Sequence, residues 1–401
     1  MKKRIGDFIH IKHGFAFESR YFSETGEFIV LTPGNFHEKG GFRNNGSKIK
    51  YYLGEFPEEY LLKKDDLLVV MTEQAPGLLG SPAIIPCNAK YLHNQRLGLV
   101  EFTHPGKLDK NYLFHMLNFP STRQQISKTA GGTKVRHTSP TKLEALSIYT
   151  PTIGQQRNIA ELIMAWDSAI EKSERLIELK EQQFAHLLSH LIVAPSAHWK
   201  SRELGDAFEP IARKNTVGET NVLTSSAEYG LISQLEYYSK SVSAEDVSGY
   251  YLIERGEFAY NRSAAKGYPY GAIKRLDRYD RGVLSTLYLC FSQKKDLGHD
   301  SDFLSFYFES GILNQQLAEI CQEGARSHGL LNITKADFFG IVVNLPDVPE
   351  QKRISKVLNM AKREIEILRQ QNRLLQQQKS FLMSKLLTGE WEAPELGAKG
   401  K

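Results

Sequence analysis

The chain repeats itself, and the repeat fixes most of what it can fold into. The segment from Pro151 reads PTIGQQRNIAELI and the segment from Pro346 reads PDVPEQKRISKVL, so Pro151, Gln156 and Ile159 match Pro346, Gln351 and Ile354 at the same offsets. Between Gln156 and Pro195, and again between Gln351 and Pro394, no proline intervenes. Both stretches read as long helices. One apolar seam runs through Ile159, Ile163, Trp166, Ile170, Ser173, Ile177, Lys180, Phe184, Leu187 and Leu191. The other runs through Ile354, Leu358, Ala361, Ile365, Leu368, Asn372, Leu375, Lys379, Leu382 and Leu386. The spacing alternates four and three, which is a heptad seam, so each helix should supercoil on a partner.

Two equivalent helices in one chain can serve each other as an antiparallel pair. In the register where paired positions sum to 545, Ile163 faces Leu382, Ile170 faces Leu375, Ser173 faces Asn372 and Ile177 faces Leu368. That register brings the two uncharged polar seam residues together, and a buried Asn can fix register. Trp166 opposite Lys379 and Lys180 opposite Ile365 fit if the lysine stems lie along apolar surface. Residues 346–389 hold 9 basic and 4 acidic residues, against 4 and 6 in 151–197, so the helices attract each other. About 36 helical residues span roughly 50 Å, or about 15 base pairs of B-DNA.

Weaker matches extend the repeat to the remaining chain. Arg4-Ile-Gly-Asp7 parallels Glu203-Leu-Gly-Asp206, Tyr60-Leu-Leu parallels Tyr251-Leu-Ile, and residues 131–142 parallel 324–335. The order is globular domain 1-150, helix 151-194, globular domain 198-345, helix 346-389, and a flexible tail 390-401. Short β-like runs dominate the globular parts: Phe28 to Leu31, Leu67 to Met71, Leu97 to Phe102, Phe258 to Tyr260, Gly282 to Phe291 and Gly340 to Asn344. Helices are expected at Leu113 to Lys128 and Phe303 to Cys321. The fold class is therefore α+β: two mixed α/β domains related by a pseudo-twofold repeat, separated by two long helices forming an antiparallel coiled coil.

Composition excludes several functions. Apolar stretches such as Leu67 to Met71 are too short to span a membrane, and the first residues carry charges where a secretory signal needs an apolar core. Three separated cysteines, Cys87, Cys290 and Cys321, fit a reducing cytoplasm, and those in β-like runs are expected to be buried. No P-loop, GxGxxG or HExxH motif is present, nor the Asn-Pro-Pro-aromatic segment of amino-methylating enzymes. His186 and His190 have metal-like spacing but lack a third ligand nearby, and read as solvated helix histidines. No catalytic residue and no metal ligand is assigned.

Several loops have the chemistry of nucleic-acid readers. Thr72-Glu-Gln74 follows a β-like run, and Gln74 suits an adenine edge. Gln95 and Arg96 precede another. Gly131-Gly-Thr133-Lys134-Val-Arg136-His137 pairs glycine, for close approach to phosphate, with positive charge. In the second half, Asn261, Arg262, Ser263, Lys266, Tyr268 and Lys274 follow a strand, and Arg326 and Ser327 occupy the place of the glycine-rich loop. Asn and Arg read base edges; Lys and Ser hold phosphates. Residues 262–281 hold six basic and two acidic residues, although 198–345 as a whole hold 16 basic and 19 acidic.

Taken together, these features resemble the specificity subunit of type I restriction–modification systems. The carriers are the two Pro-x4-Gln-[RK]-x-Ile helix starts, the two long helices and the duplicated domains. Gly256-Glu-Phe-Ala-Tyr-Asn-Arg-Ser263, Gly267-Tyr-Pro-Tyr-Gly-Ala-Ile273 and Val283-Leu-Ser-Thr-Leu-Tyr288 look like one branch of that family's target-recognition domains. Leu78-Leu-Gly-Ser-Pro-Ala-Ile-Ile-Pro86 with His93-Asn-Gln-Arg-Leu-Gly98 looks like another. The resemblance implies a non-catalytic subunit whose domains each read half of a split double-stranded DNA target, while the helices dock two methylase subunits and motor–nuclease subunits join. S-adenosylmethionine, ATP and Mg²⁺ are then expected on those partners and none on this chain. The acidic second domain implies that partners neutralise much of the phosphate there. A coiled-coil adaptor that binds only protein, and a self-contained DNA-modifying enzyme with an unrecognised site, are the alternatives.

Overall fold

The protein is described from a computed structural model, which covers all residues except 45, 89, 133–134, 194–197, 228, 239–245, 266, 324–330 and 396–401. It separates into two compact units: Met1–Lys172 together with Asn372–Lys401, and Ser173–Gln371. Both cuts fall inside the long helices Ile153–Leu188 and Val348–Thr388. Each unit owns the start of one long helix and the end of the other, which is what antiparallel pairing requires.

In the first unit, strands Ile9–His13, Leu97–Phe102, Leu67–Val70 and Pro82–Ile84 form an antiparallel sheet in that order. All four residues of Leu67–Val70 are buried, so this central strand is apolar on both faces. A smaller sheet orders Phe22–Ser23, Tyr51–Tyr52, Phe28–Val30 and Tyr91–Leu92. Lys2–Arg4 pairs with Ser147–Tyr149 where the domain closes.

The second unit repeats the plan. Phe208–Pro210, Tyr288–Gln293, Phe258–Asn261 and Ala272–Arg275 form the equivalent antiparallel sheet in the same order. Lys200–Glu203 pairs with Val342–Leu345 in the role of the first unit's closing pair. The accessory strands differ: a hairpin of Leu223–Ser226 and Gly230–Ser233, and a separate pair of Tyr251–Glu254 with Arg281–Leu284.

Several expected elements are broken by local chemistry. The helix expected over Leu113 to Lys128 is two, Lys110–Asn118 and Pro120–Thr129, because Pro120 forces Phe119 into extended backbone. The one expected over Phe303 to Cys321 is Ser301–Glu309 and Asn314–Ile320, parted at Gly311, whose φ is +79°. The run Gly282 to Phe291 is two strands serving different sheets. Cys290 is buried, which pushes its thiol up to about 12, but Cys87 is exposed. Part of the tail is docked: Ala393 is buried and its N–H donates to Gln155 Oε1 at 3.1 Å.

The glutamine of each repeat motif is a structural latch. Gln156 is fully buried; it accepts from the Asp109 N–H at 2.8 Å and donates to Lys107 O and Pro151 O at 3.2 and 3.0 Å. Asp109 caps Lys110–Asn118 by accepting from the Tyr112 N–H. Gln351, also fully buried, accepts from the Asp300 N–H at 2.9 Å, donates to Pro346 O at 2.8 Å and meets His299 Nδ1 at 2.9 Å. Asp300 caps Ser301–Glu309 through the Phe303 N–H. Each latch fastens the start of a long helix to the N-terminus of a domain helix.

Every seam position of both helices is buried or half-buried, including Ile163, Trp166, Ile170, Ser173, Ile177, Ile365, Leu368, Asn372, Leu375 and Leu382. Within the first unit, Ile159 and Ile163 join a core with Leu386 and Leu387, and Leu382 packs against it. Within the second, Phe184, Leu187 and Leu191 pack on a core containing Ile354 and Leu358. The helices are antiparallel in each unit. Both seam lysines send their heads to a flanking carboxylate: Lys379 pairs with Asp167, and Lys180 with Glu364 at 2.8 Å. Arg369 pairs with Glu181 at 2.7 Å. Among the described residues no helix is long and apolar enough to cross a membrane.

Candidate nucleic-acid interface

In the first unit the central strand Leu67–Val70 delivers the chain to the loop 72–77. Its start is pinned by a loop distant in sequence. Thr138 N–H donates to Met71 O and Glu73 N–H to Arg136 O, both at 2.9 Å, and Thr72 bridges His137. Gly131 and His137 exchange backbone hydrogen bonds at 2.9 Å, closing the glycine loop. Gly132 has φ +96°, and a Cβ there would lie 2.1 Å from Val135 O, so only glycine fits. Thr72, Glu73, Gln74, Arg96 and Val135 line one shallow depression. Gln74, Gln95 and Arg96 are exposed, Thr72 half-buried. Three sequence-distant loops thus meet on one surface, with amide, hydroxyl and guanidinium groups facing outward.

One expected reader there, Arg136, stands differently. Thr133 and Lys134 lie outside the described residues. Arg136 uses its guanidinium internally, donating to Ser127 O and to Ser127 Oγ (2.8 Å). A further guanidinium, not singled out by the sequence, organises the loop: Arg123 donates to Gly77 O and to Glu38 O (3.4 Å). Burial pulls Arg123 down to about 10, opposed by nearby Glu73, and its Nη1 has no hydrogen-bond partner among the described residues. Glu73 accepts from the Gly77 N–H at 3.2 Å, so this acid holds the turn.

The second unit places its loop at the same point of the sheet, after Phe258–Asn261. Asn261 Oδ1 accepts from the Ser263 N–H at 3.2 Å; Ser263 is exposed and Asn261 half-exposed. Ala265 and Tyr268 exchange backbone hydrogen bonds around a tight turn. Leu331 N–H donates to Arg262 O at 2.7 Å, and Gln322–Glu323 pairs with Leu331–Asn332. The flanks of the other expected loop therefore sit against this one, as in the first unit. Lys266, Arg326 and Ser327 lie outside the described residues.

Two expected readers here are corrected. Lys274 is 3% exposed; its ammonium pairs with Glu309 and donates to the Tyr268 hydroxyl, both at 3.0 Å. It is a buried ion-pair partner, and Tyr268 is engaged with it. Arg262 donates from Nε to Leu287 O at 2.8 Å and reaches Thr286 O and Ile333 O, bracing backbone rather than facing outward. The positive charge of 262–281 is also cancelled through space. Arg275 pairs with Asp277 and Asp302, Arg278 with Glu236, and Arg281 with Glu219.

A family model described as the type I restriction modification DNA specificity domain matches residues 1–181 and again 197–377. The type I restriction enzyme EcoBI specificity subunit of Escherichia coli is 26% identical over 170 residues, 42% of this chain and 32% of that subunit; the chain matches about a third of that relative's length. The type I restriction–modification S subunit of M. genitalium has a similar fold, with TM-score 0.55 and 15% identity over 96% of each chain. So does the HsdS subunit of Thermoanaerobacter tengcongensis, with TM-score 0.51 and 14% identity over 98% of this chain and 97% of that one.

Proposed function

Because the chain belongs to the type I restriction modification DNA specificity domain family, with two matched copies, we propose that it is the specificity subunit of a type I restriction–modification complex. Each unit reads one half of a bipartite double-stranded DNA target. The observation that carries this reading is the repeated placement of a loop after the central strand, flanked by a second loop from far along the chain, on two domains whose loop residues differ. One architecture with two side-chain sets suits two unlike half-sites.

In this reading the chain is not an enzyme. The long helices space the halves and dock two methylase subunits, and motor–nuclease subunits complete the assembly in the cytoplasm. S-adenosylmethionine, ATP and Mg²⁺ act on those partners. Thr72, Gln74, Gln95 and Arg96 are the base-reading candidates of the first unit; Asn261 and Ser263 are those of the second.

The test is methylome sequencing of a host expressing this chain with a methylase subunit of the same system. The expected result is a new split motif with N6-methyladenine in both halves. A soluble, associated pair of proteins that produces no new motif would overturn the reading and favour the protein-only adaptor.

A further inference from the structure

Cations are distributed unequally over the two candidate surfaces. In the second unit Lys274, Arg275, Arg278 and Arg281 pair with carboxylates, and Arg262 is spent on backbone carbonyls. In the first unit, residues 37–50 hold four basic residues and one acidic. Lys39, Arg43, Lys48 and Lys50 are all exposed, and none forms an ion pair among the described residues, whereas Lys12 and Lys90 of the same unit pair with Glu59 and Glu27. Arg43 instead approaches the His37 ring at 3.4 Å, and Lys50 lies over the Phe22 ring.

This segment is fastened to the first reading loop. Ser81 Oγ donates to His37 O at 2.6 Å, and Gly41 N–H donates to Pro82 O at 2.8 Å. The Arg123 guanidinium bridges Glu38 O and Gly77 O, joining the two loops directly. The start of this basic segment, residues 37–41, is thus fastened beside the loop that carries Gln74.

We propose that Lys39, Arg43, Lys48 and Lys50 form a phosphate-gripping arm next to the half-site read by the first unit, and that this unit carries most of the chain's salt-dependent DNA affinity. The inference rests on the specificity-subunit reading. Phosphate contacts position a protein without reading sequence, and each releases counterions on binding. The arm should therefore set affinity and leave the recognised sequence alone.

The test is the triple variant Lys39→Gln, Arg43→Gln, Lys48→Gln in the full chain, purified with its methylase partner. Binding to a duplex with the target and to a scrambled duplex is measured from 50 to 200 mM salt. Each lost phosphate contact should reduce the slope of log affinity against log salt by about 0.9, so the slope should become shallower by about 2 to 3. Both duplexes should weaken by the same factor, with the methylated motif unchanged. The charge-keeping variant Lys39→Arg, Arg43→Lys, Lys48→Arg should retain the slope, which separates charge from folding. An unchanged slope in the Gln variant, with salt-dependent binding intact in the parent, overturns the arm and leaves the specificity reading standing. Absence of salt-dependent binding in the parent overturns both.

Discussion

Truncating the glutamine latch of one repeat should cost several kcal/mol and act on one unit only. In Gln156→Ala the Asp109 N–H loses its acceptor, and the carbonyls of Lys107 and Pro151 lose a donor, in a position with no solvent access. A buried unsatisfied group costs about 1–3 kcal/mol, and the vacated volume adds to it, so a loss of about 3–4 kcal/mol is expected. Gln156→Glu keeps the acceptor for Asp109 but cannot donate while ionised, so near neutral pH it should be at least as damaging. Urea unfolding gives the energy, and hydrogen exchange gives the location. The Asp109 and Tyr112 amides should exchange faster while those of Asp300 and Phe303 keep their protection. Gln351→Ala should show the mirror pattern, and the two losses should add within about 0.5 kcal/mol. A loss below about 1 kcal/mol, or equal effects on both sets of amides, would refute the latch.

Further outcomes follow from the same geometry. Burial pulls His93 and His115 down from 6.5 to about 4, so the unfolded chain takes up protons first as pH falls. The stability they contribute is present above about pH 6.5 and is lost on going down to about 4, by roughly 3 kcal/mol per histidine. Urea midpoints at pH 7 and 4.5 measure this, and a double His93→Gln, His115→Gln variant with an unchanged pH slope would contradict it. Asn372 is buried in the seam, and its Oδ1 has no partner among the described residues. Asn372→Leu should therefore stabilise the chain by about 1 kcal/mol, and a lowered melting temperature would show that the amide is satisfied. Arg262→Ala should weaken binding at one half-site and lower the melting temperature through loss of its backbone brace, with no rescue by Arg262→Lys. Asn261→Ala should act at the same half-site without changing the melting temperature, and equal loss at both halves would refute both assignments.

The heptad seam was legible because helix periodicity is local: whether a residue joins the seam depends on its neighbours three and four positions away. Asp167 and Glu364, which pair with Lys379 and Lys180, each lie one residue from the position that the expected register placed opposite. The repeat glutamines were visible as a motif but not as a latch, because their partners lie 47 and 51 residues away. The charge of 262–281 misled for the same physical reason: the carboxylates that cancel it, Glu219, Glu236, Asp302 and Glu309, lie outside the window that was counted. Lys274 carried no sequence mark of burial, since alternation with Ile273 in a strand puts it on the face expected to be polar, yet both are buried. The basic stretch 37–50 was countable from composition alone, but it precedes no matching loop in the other half, so the repeat does not mark it. Breaks at Pro120 and Gly311 were written plainly in the residues, and ignoring them merged helices that the backbone separates.

The way the two units share the long helices has a consequence for synthesis. The unit formed by Ser173–Gln371 is one continuous stretch, whereas the other joins residues 1–172 to residues from Asn372 onward. A chain emerging from the ribosome therefore makes the first domain early but cannot complete it until the last. Ile159 and Ile163 lack the cover of Leu386 and Leu387 until then, while the second unit has all its parts some fifteen residues sooner. The order of completion is the reverse of the order of translation. A premature stop after residue 371 would spare the unit nearest the break and cripple the one made first.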